Sequence, residues 1–256
     1  MKIVNFSKYS SIKIGPIVQV NIINKIEKTD ENFTIIGGAN NLLVSNNPPK
    51  LAKLSKEFDY IKQKSDLLYI GGATPSGKVV SYCKKHDIKG FELLQKLPGL
   101  IGGIIKMNAG LKEHEIFNNL VAIKTINGYI KKEDIDFSYR HTNIKSIIYE
   151  GVFEKKYGFD EKLFEYFEVL RKNQPNLPSA GSCFKNPPNS YAGKLLQECG
   201  LKGYRVGDVG FSKIHANFLV NHGRGTFEDA ISLINLAKKR VFEKFGIELE
   251  LEIVVL

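Results

Sequence analysis

Ser182 lies in the run Pro178-Ser179-Ala180-Gly181-Ser182-Cys183-Phe184-Lys185-Asn186-Pro187, which sets its hydroxyl near an ammonium group and an amide. Pro and Gly break helix and strand ladders, and Ser and Asn compete for backbone hydrogen bonds, so the run predicts a loop. Prolines at both ends make that loop stiff enough to hold out a proton on Ser182 beside Lys185 and Asn186. A surface turn with an incidental serine accounts for the same residues.

Two more charged side chains have a suggestive setting. Arg140, in Tyr139-Arg140-His141-Thr142, keeps its guanidinium charge at any working pH and is a candidate contact for an anion or an enolate. Most arginines are nonetheless surface residues. At the C-terminus Ile247, Leu249, Leu251, Ile253 and Val255 alternate with Glu248, Glu250 and Glu252, the pattern of a strand. Val254 and Leu256 then continue the polar face, so Glu252 stands where that face turns apolar. A carboxylate at such a boundary can hold a proton, although a solvated face that stops there is the plainer account. The five histidines show no ligand spacing, and no metal site is expected.

Two glycine-dense segments suit a ligand that lies against backbone. Gly37-Gly38-Ala39-Asn40-Asn41 joins two apolar runs and lacks the G-x-G-x-x-G spacing, which argues against a Rossmann dinucleotide fold. Its N–H groups can still turn inward around a pyrophosphate, and a plain hairpin turn explains it equally well. Leu97 to Gly110 carries Gly99, Gly102, Gly103 and Gly110 and no charge before Lys106. Glycines there permit close approach of a flat ligand; a tight helix start against the core is the other account.

The elements that must position these residues follow from period and punctuation. Ile35-Ile36, Leu42-Leu43-Val44, Leu67 to Ile70 and Phe218-Leu219-Val220 read as strands. Thr74-Pro75 opens a helix with Val79, Val80 and Cys83 on its apolar face, ending before Gly90. Ser190 is the predicted cap of a helix that buries Tyr191, Leu195, Leu196 and Cys199. Thr226-Phe227-Glu228-Asp229 opens the strongest helix, with Ile231, Ile234, Ala237 and Val241 at helical spacing and Gly246 as its stop. The amphipathic stretch Leu163 to Leu170 and the Pro-rich passage after it mark the entry to a second, smaller α/β domain.

Composition bounds the rest. At 256 residues with 43% hydrophobic and 25% charged residues the chain is an ordinary globular protein. No apolar run approaches the roughly 18 residues of a membrane helix, and Met1 to Lys8 has no signal-peptide core, so a cytoplasmic protein is expected. Three widely spaced cysteines exclude a disulfide framework. The net charge of +10 admits a nucleic-acid partner, but the lysines are scattered, and an anionic small molecule explains the excess as well.

Taken in order, Gly37-Gly38-Ala39-Asn40-Asn41-Leu42-Leu43-Val44, Pro98-Gly99-Leu100-Ile101-Gly102-Gly103, Met107-Asn108-Ala109-Gly110, Tyr139-Arg140 and the Ser179 to Pro187 block resemble the UDP-N-acetylenolpyruvoylglucosamine reductase family. Tyr191 to Leu196, His215-Ala216-Asn217-Phe218 and Glu250-Leu251-Glu252-Ile253 continue the likeness, which spans nearly the whole chain. It is similar to the shorter form of the family, without the extra tyrosine-bearing loop.

The resemblance implies an α+β fold: an FAD-binding domain of the vanillyl-alcohol-oxidase/PCMH type over residues 1–172, with two α/β subdomains completed by a C-terminal strand 247–256, and a smaller α/β substrate-binding domain over 173–246. It implies a bacterial cytoplasmic flavoenzyme of peptidoglycan precursor synthesis, a monomer without nucleic-acid or membrane partners. NADPH would reduce bound FAD, flavin N5 would pass hydride to C3 of UDP-N-acetylglucosamine enolpyruvate, and a proton on C2 would complete UDP-N-acetylmuramate. By the same resemblance Ser182 is the proton donor, with Arg140 and Glu252 as its catalytic partners. Gly37, Gly38, Ala39, Asn40, Asn41, Leu42, Pro98, Gly99, Gly102, Gly103, Asn108 and Ala109 fall to FAD, and Tyr139, Lys185 and Asn186 to the substrate. Elementary chemistry agrees: charge driven onto the substrate carboxylate suits a fixed guanidinium and a protonated carboxyl, and a serine hydroxyl needs so basic an acceptor.

The chain departs from the pattern at Ala39, Asn40 and Leu251, and Leu111-Lys112-Glu113 stands where Ala-Tyr-Gly usually follows Met-Asn-Ala-Gly, which puts flavin contacts near residue 111 in doubt. Lys185, Lys194, Lys202 and Arg205 are all candidates for the substrate diphosphate. An FAD-dependent oxidase of the same flavin fold is the alternative, and the Ser182 block and Glu252 weigh against it.

Overall fold

The computed structural model describes residues 1–27 and 32–256, and the chain forms two compact units. The first comprises Met1 with residues 21–38 and 50–172, and the second residues 2–20, 39–49 and 173–256.

In the first unit, period-two patterning builds an antiparallel sheet. Strands β1 (Ile61–Lys64), β2 (Leu67–Gly71), β3 (Leu120–Thr125), β4 (Gly128–Lys131) and β5 (Glu150–Glu154) lie in the order β4-β3-β5-β2-β1. Leu68 and Ile70 of β2 and Ile123 of β3 are wholly buried, as alternation requires. Helices α1 (Ser76–Lys85), α2 (Ile101–Lys106) and α3 (Glu161–Leu170) share their core through Val79, Ile105 and Phe167. The predicted helix after Thr74-Pro75 is α1, and the amphipathic stretch near residue 163 is α3. The glycine-dense stretch after Leu97 is partly helix: α2 occupies its middle.

The second unit holds a four-stranded antiparallel sheet of β6 (Ser179–Ser182), β7 (Arg205–Val206), β8 (Val209–Phe211) and β9 (Phe218–Asn221), in the order β6-β9-β8-β7. Two helices, α4 (Ala192–Glu198) and α5 (Phe227–Phe245), share its core. Lys2–Asn5 pairs antiparallel with Ile17–Val20, and Leu42–Leu43 pairs in parallel with Val254–Val255. Helix α5 follows its sequence closely. Thr226 and Asp229 exchange side-chain to backbone bonds in a capping box, and Gly246 ends the helix at φ 67.

Three expectations are corrected. The run predicted as a loop is strand over Ser179–Ser182, because it is the edge partner of β9; Pro178 and Pro187 lie outside the ladder, where proline is tolerated. The C-terminal alternation is real in burial, with Leu249 and Ile253 inside and Glu248 and Glu250 outside. Its backbone, however, pairs only at Leu251 with Phe184 and at Val254–Val255 with Leu42–Leu43. Ser190 does not cap α4: Tyr191 precedes the helix and is 69% exposed, and Asn186 accepts the first helical N–H. Residues 247–256 pack in the unit that contains 173–246, a partition by packing that differs from the ligand-based division at 1–172 and 173–246.

Candidate active site

Ser182 ends β6 opposite Phe218 of β9, and the ladder shifts register between Ser179 and Ser182. Gly181, at φ 84 and with open space where a Cβ would stand, makes the bulge. The residues after Ser182 are held by one side chain. Asn217, 3% exposed, accepts the Phe184 N–H at 3.0 Å through Oδ1 and donates from Nδ2 to the Phe184 carbonyl at 2.7 Å. The Asn217 carbonyl takes the Cys183 N–H at 2.7 Å. Cys183 is fully buried and burial pushes its thiol up, so it stays protonated, and the Ser179 hydroxyl donates to the Leu219 carbonyl at 2.7 Å.

Glu252 is tied to that segment through backbone. Its N–H donates to the Cys183 carbonyl at 2.9 Å, and the Lys185 N–H donates to the Glu250 carbonyl at 2.9 Å. These bonds flank the Phe184–Leu251 bridge, so Glu252 stands opposite Cys183, the residue after Ser182, across one short antiparallel contact. Glu252 is half-buried while Glu248 and Glu250 are exposed, which agrees with its place at the polar-to-apolar turn. Asn41 completes the clamp: its Nδ2 donates to the Glu252 carbonyl and its own carbonyl accepts from Val254, both at 2.9 Å. The side chain of Asn41, expected to face a cofactor, therefore holds the carboxylate segment, and Leu42 is buried in the ladder with Val254.

The expected substrate cations are already engaged. Lys185 Nζ lies 2.5 Å from Glu250, with the lysine side chain 15% exposed and the glutamate 72%. Lys194 is 3.9 Å from Glu198, Lys202 donates to Gln197 at 3.1 Å, and Arg205 is 2.8 Å from Asp208. Asn186 is exposed, and its carbonyl oxygen accepts the Ala192 N–H at 3.1 Å.

Arg140 belongs to the first unit, at the second position of a two-residue hairpin. Phe137 pairs with Thr142 and Ser138 with His141, leaving Tyr139-Arg140 as the turn. Such turns favour Asn-Gly or Gly, whereas Arg140 is left-handed at φ 54. Backbone strain of that kind gathers at functional sites. The guanidinium donates to the carbonyls of Gly110 at 2.6 Å and Asn108 at 3.4 Å and lies 4.9 Å from the centre of the exposed Tyr139 ring. The Thr142 hydroxyl anchors the hairpin to the Lys106 carbonyl at 2.7 Å.

The glycine-dense stretch is stitched to the turn after β2. Ser76 N–H reaches the Gly99 carbonyl, Ile101 N–H the Thr74 carbonyl and Gly102 N–H the Gly72 carbonyl, at 3.0, 3.0 and 2.9 Å. Gly102 favours that approach, since a Cβ would stand 3.1 Å from the Gly72 oxygen, closer than an ordinary contact. Gly103 and Gly37 differ: nothing lies within 4 Å of a Cβ at either. Pro98 is exposed and Ala109 half-buried, while Asn108 is wholly buried.

Arg171 escaped the sequence reading. It is 7% exposed, donates to the Leu93 and Gln95 carbonyls, and its Nε has no hydrogen-bond partner among the described residues. Burial lowers it to about 10, and the Arg140 charge adds to the shift. Nothing in its sequence context, between Leu170 and Lys172, marks it.

A flavin fits these residues. Backbone at Gly37 and Gly103 is open to close approach, and left-handed Gly37 (φ 30) and Ala39 (φ 51) give the curled main chain that collects anions. Among the described residues no cluster of three metal-ligating side chains occurs, and no helix is long and apolar enough to cross a membrane.

Comparison with known proteins gives these elements a family. Residues 173–256 match the UDP-N-acetylenolpyruvoylglucosamine reductase C-terminal domain. The reductase of Helicobacter hepaticus is 50% identical over 99% of this chain and 98% of its own, and that of Campylobacter jejuni strain RM1221 is 43% identical over 99% and 100%. The crystal structure of the Thermus caldophilus enzyme superposes with a TM-score of 0.88 at 30% identity, covering 99% of this chain and 98% of that one. The chain belongs to the UDP-N-acetylenolpyruvoylglucosamine reductase family. It is an oxidoreductase with the fold of that solved enzyme.

Proposed function

We propose that the chain reduces UDP-N-acetylglucosamine enolpyruvate to UDP-N-acetylmuramate with NADPH as reductant and FAD as bound cofactor, a cytoplasmic step of peptidoglycan precursor synthesis. The observation that carries this is the backbone bond from Glu252 N–H to the Cys183 carbonyl, which couples the Ser182 strand to the one carboxylate at the polar-to-apolar boundary. When bound, the flavin supplies the hydride for C3 of the enolpyruvyl group, having taken it from NADPH.

The backbone of Gly37 to Asn41 would hold the pyrophosphate, and Pro98, Gly99, Gly103 and Ala109 would lie along the remainder of the cofactor in a fold of the PCMH type. Arg140 and a protonated Glu252 stabilise the charge that develops on the substrate carboxylate. The Ser182 O–H then gives its proton to C2, and the bracing of its strand aims that proton at one carbon. Tyr139, Lys185 and Asn186 hold the substrate. Lys185 reaches an anion by leaving the exposed Glu250, an exchange of one solvent-screened partner for another.

The test is oxidation of NADPH by the purified, flavin-coloured protein. Turnover that depends on UDP-N-acetylglucosamine enolpyruvate is expected. A protein that carries flavin and oxidises NADPH equally well without that substrate refutes the assignment.

A further inference from the structure

Where the family's Ala-Tyr-Gly is missing, the chain makes a small hairpin. Gly110 pairs with Glu115 and Leu111 with His114, and only glycine fits at position 110, because a Cβ would stand 2.1 Å from the His114 oxygen. Both arms of this hairpin reach the Arg140 turn. On one arm the Gly110 carbonyl accepts from Arg140 at 2.6 Å. On the other, Glu115 Oε2 accepts from Asn108 Nδ2 at 2.6 Å, and the same amide donates to the Ser138 carbonyl at 3.1 Å. Asn108 Oδ1 takes the Phe117 N–H at 3.4 Å, and the Asn108 carbonyl accepts from Arg140. Both amide donors of Asn108 are thus committed inside the protein.

We propose that Asn108 and Glu115 are positioning residues for Arg140: the relay from Glu115 through Asn108 to the Ser138 carbonyl holds Tyr139-Arg140 in its left-handed turn and aims the guanidinium. The proposal rests on the role given to Arg140 above. Its physical basis is direct. A positive φ at a non-glycine residue persists only where the surroundings enforce it, and a carboxylate makes the shorter, stronger kind of hydrogen bond that can do so. Ser138 is the residue before the turn, so fixing its carbonyl fixes the entry, while Gly110 and Thr142 fix the exit.

The experiment compares flavin-loaded wild type with Glu115→Ala, Glu115→Gln and Asn108→Ala. In Glu115→Ala and Asn108→Ala, reoxidation of the reduced enzyme by UDP-N-acetylglucosamine enolpyruvate slows by roughly 10²-fold, the cost of aiming a group badly. In Glu115→Ala, FAD affinity and the rate of flavin reduction by NADPH stay within about twofold, since neither uses this arginine. Glu115→Gln keeps an acceptor and restores most of the rate, and Glu115→Ala adds no further loss in an Arg140→Lys background, as one coupled unit requires. Amide exchange over residues 137–142 rises in Glu115→Ala and not in Glu115→Gln. Wild-type reoxidation by Glu115→Ala, weakened FAD binding alongside every rate, or unchanged amide exchange overturns the relay. Should Asn108→Ala fail to fold, the two Glu115 variants decide. A wild-type protein that oxidises no NADPH with this substrate refutes the functional assignment, and the exchange comparison still decides the relay.

Discussion

Asn217→Ala should damage the Ser182 strand more than its single side chain suggests. The Asn217 amide is 3% exposed and answers both backbone groups of Phe184, itself fully buried, with bonds of 3.0 and 2.7 Å. Truncation leaves one buried N–H and one buried C=O unpaired, at about 1–3 kcal/mol each, or about 2–6 kcal/mol in all. For a chain of this size, a central loss of about 4 kcal/mol lowers the melting temperature by roughly 8–16 °C. The measurement is urea and thermal unfolding with the denaturant slope checked for constancy. Asn217→Asp sharpens the test. Ionised, it still accepts from Phe184 N–H but points its other oxygen at the Phe184 carbonyl; protonated, it donates there as asparagine does. Burial and that carbonyl raise its carboxyl above the usual value, so the folded state binds the proton more tightly than the unfolded chain. Its stability is therefore kept at low pH and lost as pH rises through the raised folded value. The deficit against wild type should narrow as the pH is lowered through that raised value. A loss below about 1 kcal/mol in Asn217→Ala, or a deficit in Asn217→Asp that does not change with pH, refutes the reasoning.

Three further outcomes are expected. Ser182→Ala should leave flavin reduction by NADPH intact and slow substrate reduction by about 10³-fold or more, as loss of a general acid does; near wild-type turnover means the proton comes from elsewhere. In Glu252→Gln the backbone bonds to Cys183 and Asn41 remain, so stability should hold while kcat falls by about 10²-fold. An unchanged kcat with the natural substrate removes Glu252 from the mechanism. His215, half-buried, is lowered from 6.5 by burial first and by Lys202 among the remaining causes. Its folded value lies below its unfolded one, so the stability it contributes is present above pH 6.5 and is lost as pH falls toward the lowered value. The melting temperature of His215→Gln should therefore depend less on acidification than that of wild type, and parallel profiles would falsify the assignment.

What was legible in the sequence was whatever a single segment decides. Helix α5 could be read from Thr226 to Gly246 because its capping box and its left-handed stop are made by its own residues. Helix α1 follows Thr74-Pro75 as its sequence predicts, but no side chain caps it: the Thr74 hydroxyl donates to the Tyr60 carbonyl instead. Residue type and boundary single out Ser182, Arg140 and Glu252 as candidates, and their catalytic roles are proposals. What failed were readings that depend on a distant partner. Ser179–Ser182 reads as a broken loop until β9 lies beside it. Asn41 and Asn108 carry no mark that distinguishes a cofactor contact from a brace, since an amide is equally suited to either. The two-residue turn at Tyr139-Arg140 was hidden for the opposite reason: neither residue is a turn former, and the conformation is enforced by Asn108, Gly110 and Thr142 from outside.

The braces share one chemistry. Asn217 holds the backbone after Ser182, Asn41 holds the backbone of Glu252, and Asn108 holds the backbone before Arg140. Each sits where a segment bearing a proposed catalytic group lacks a full strand partner: beyond the last pair of β6, beside the short ladder of Val254–Val255, and at a two-pair hairpin. An asparagine amide presents a donor and an acceptor in one plane, as a peptide group does, so it can stand in for a neighbouring strand without extending the sheet. A ladder would impose regular strand geometry on Ser182 and Arg140. The amides instead allow Gly181 at φ 84 and Arg140 at φ 54 to keep the turns that present those side chains. The same logic predicts that at Asn217 serine is no replacement, being too short to reach both backbone groups of Phe184, and that aspartate is a conditional one, equivalent only while it carries a proton.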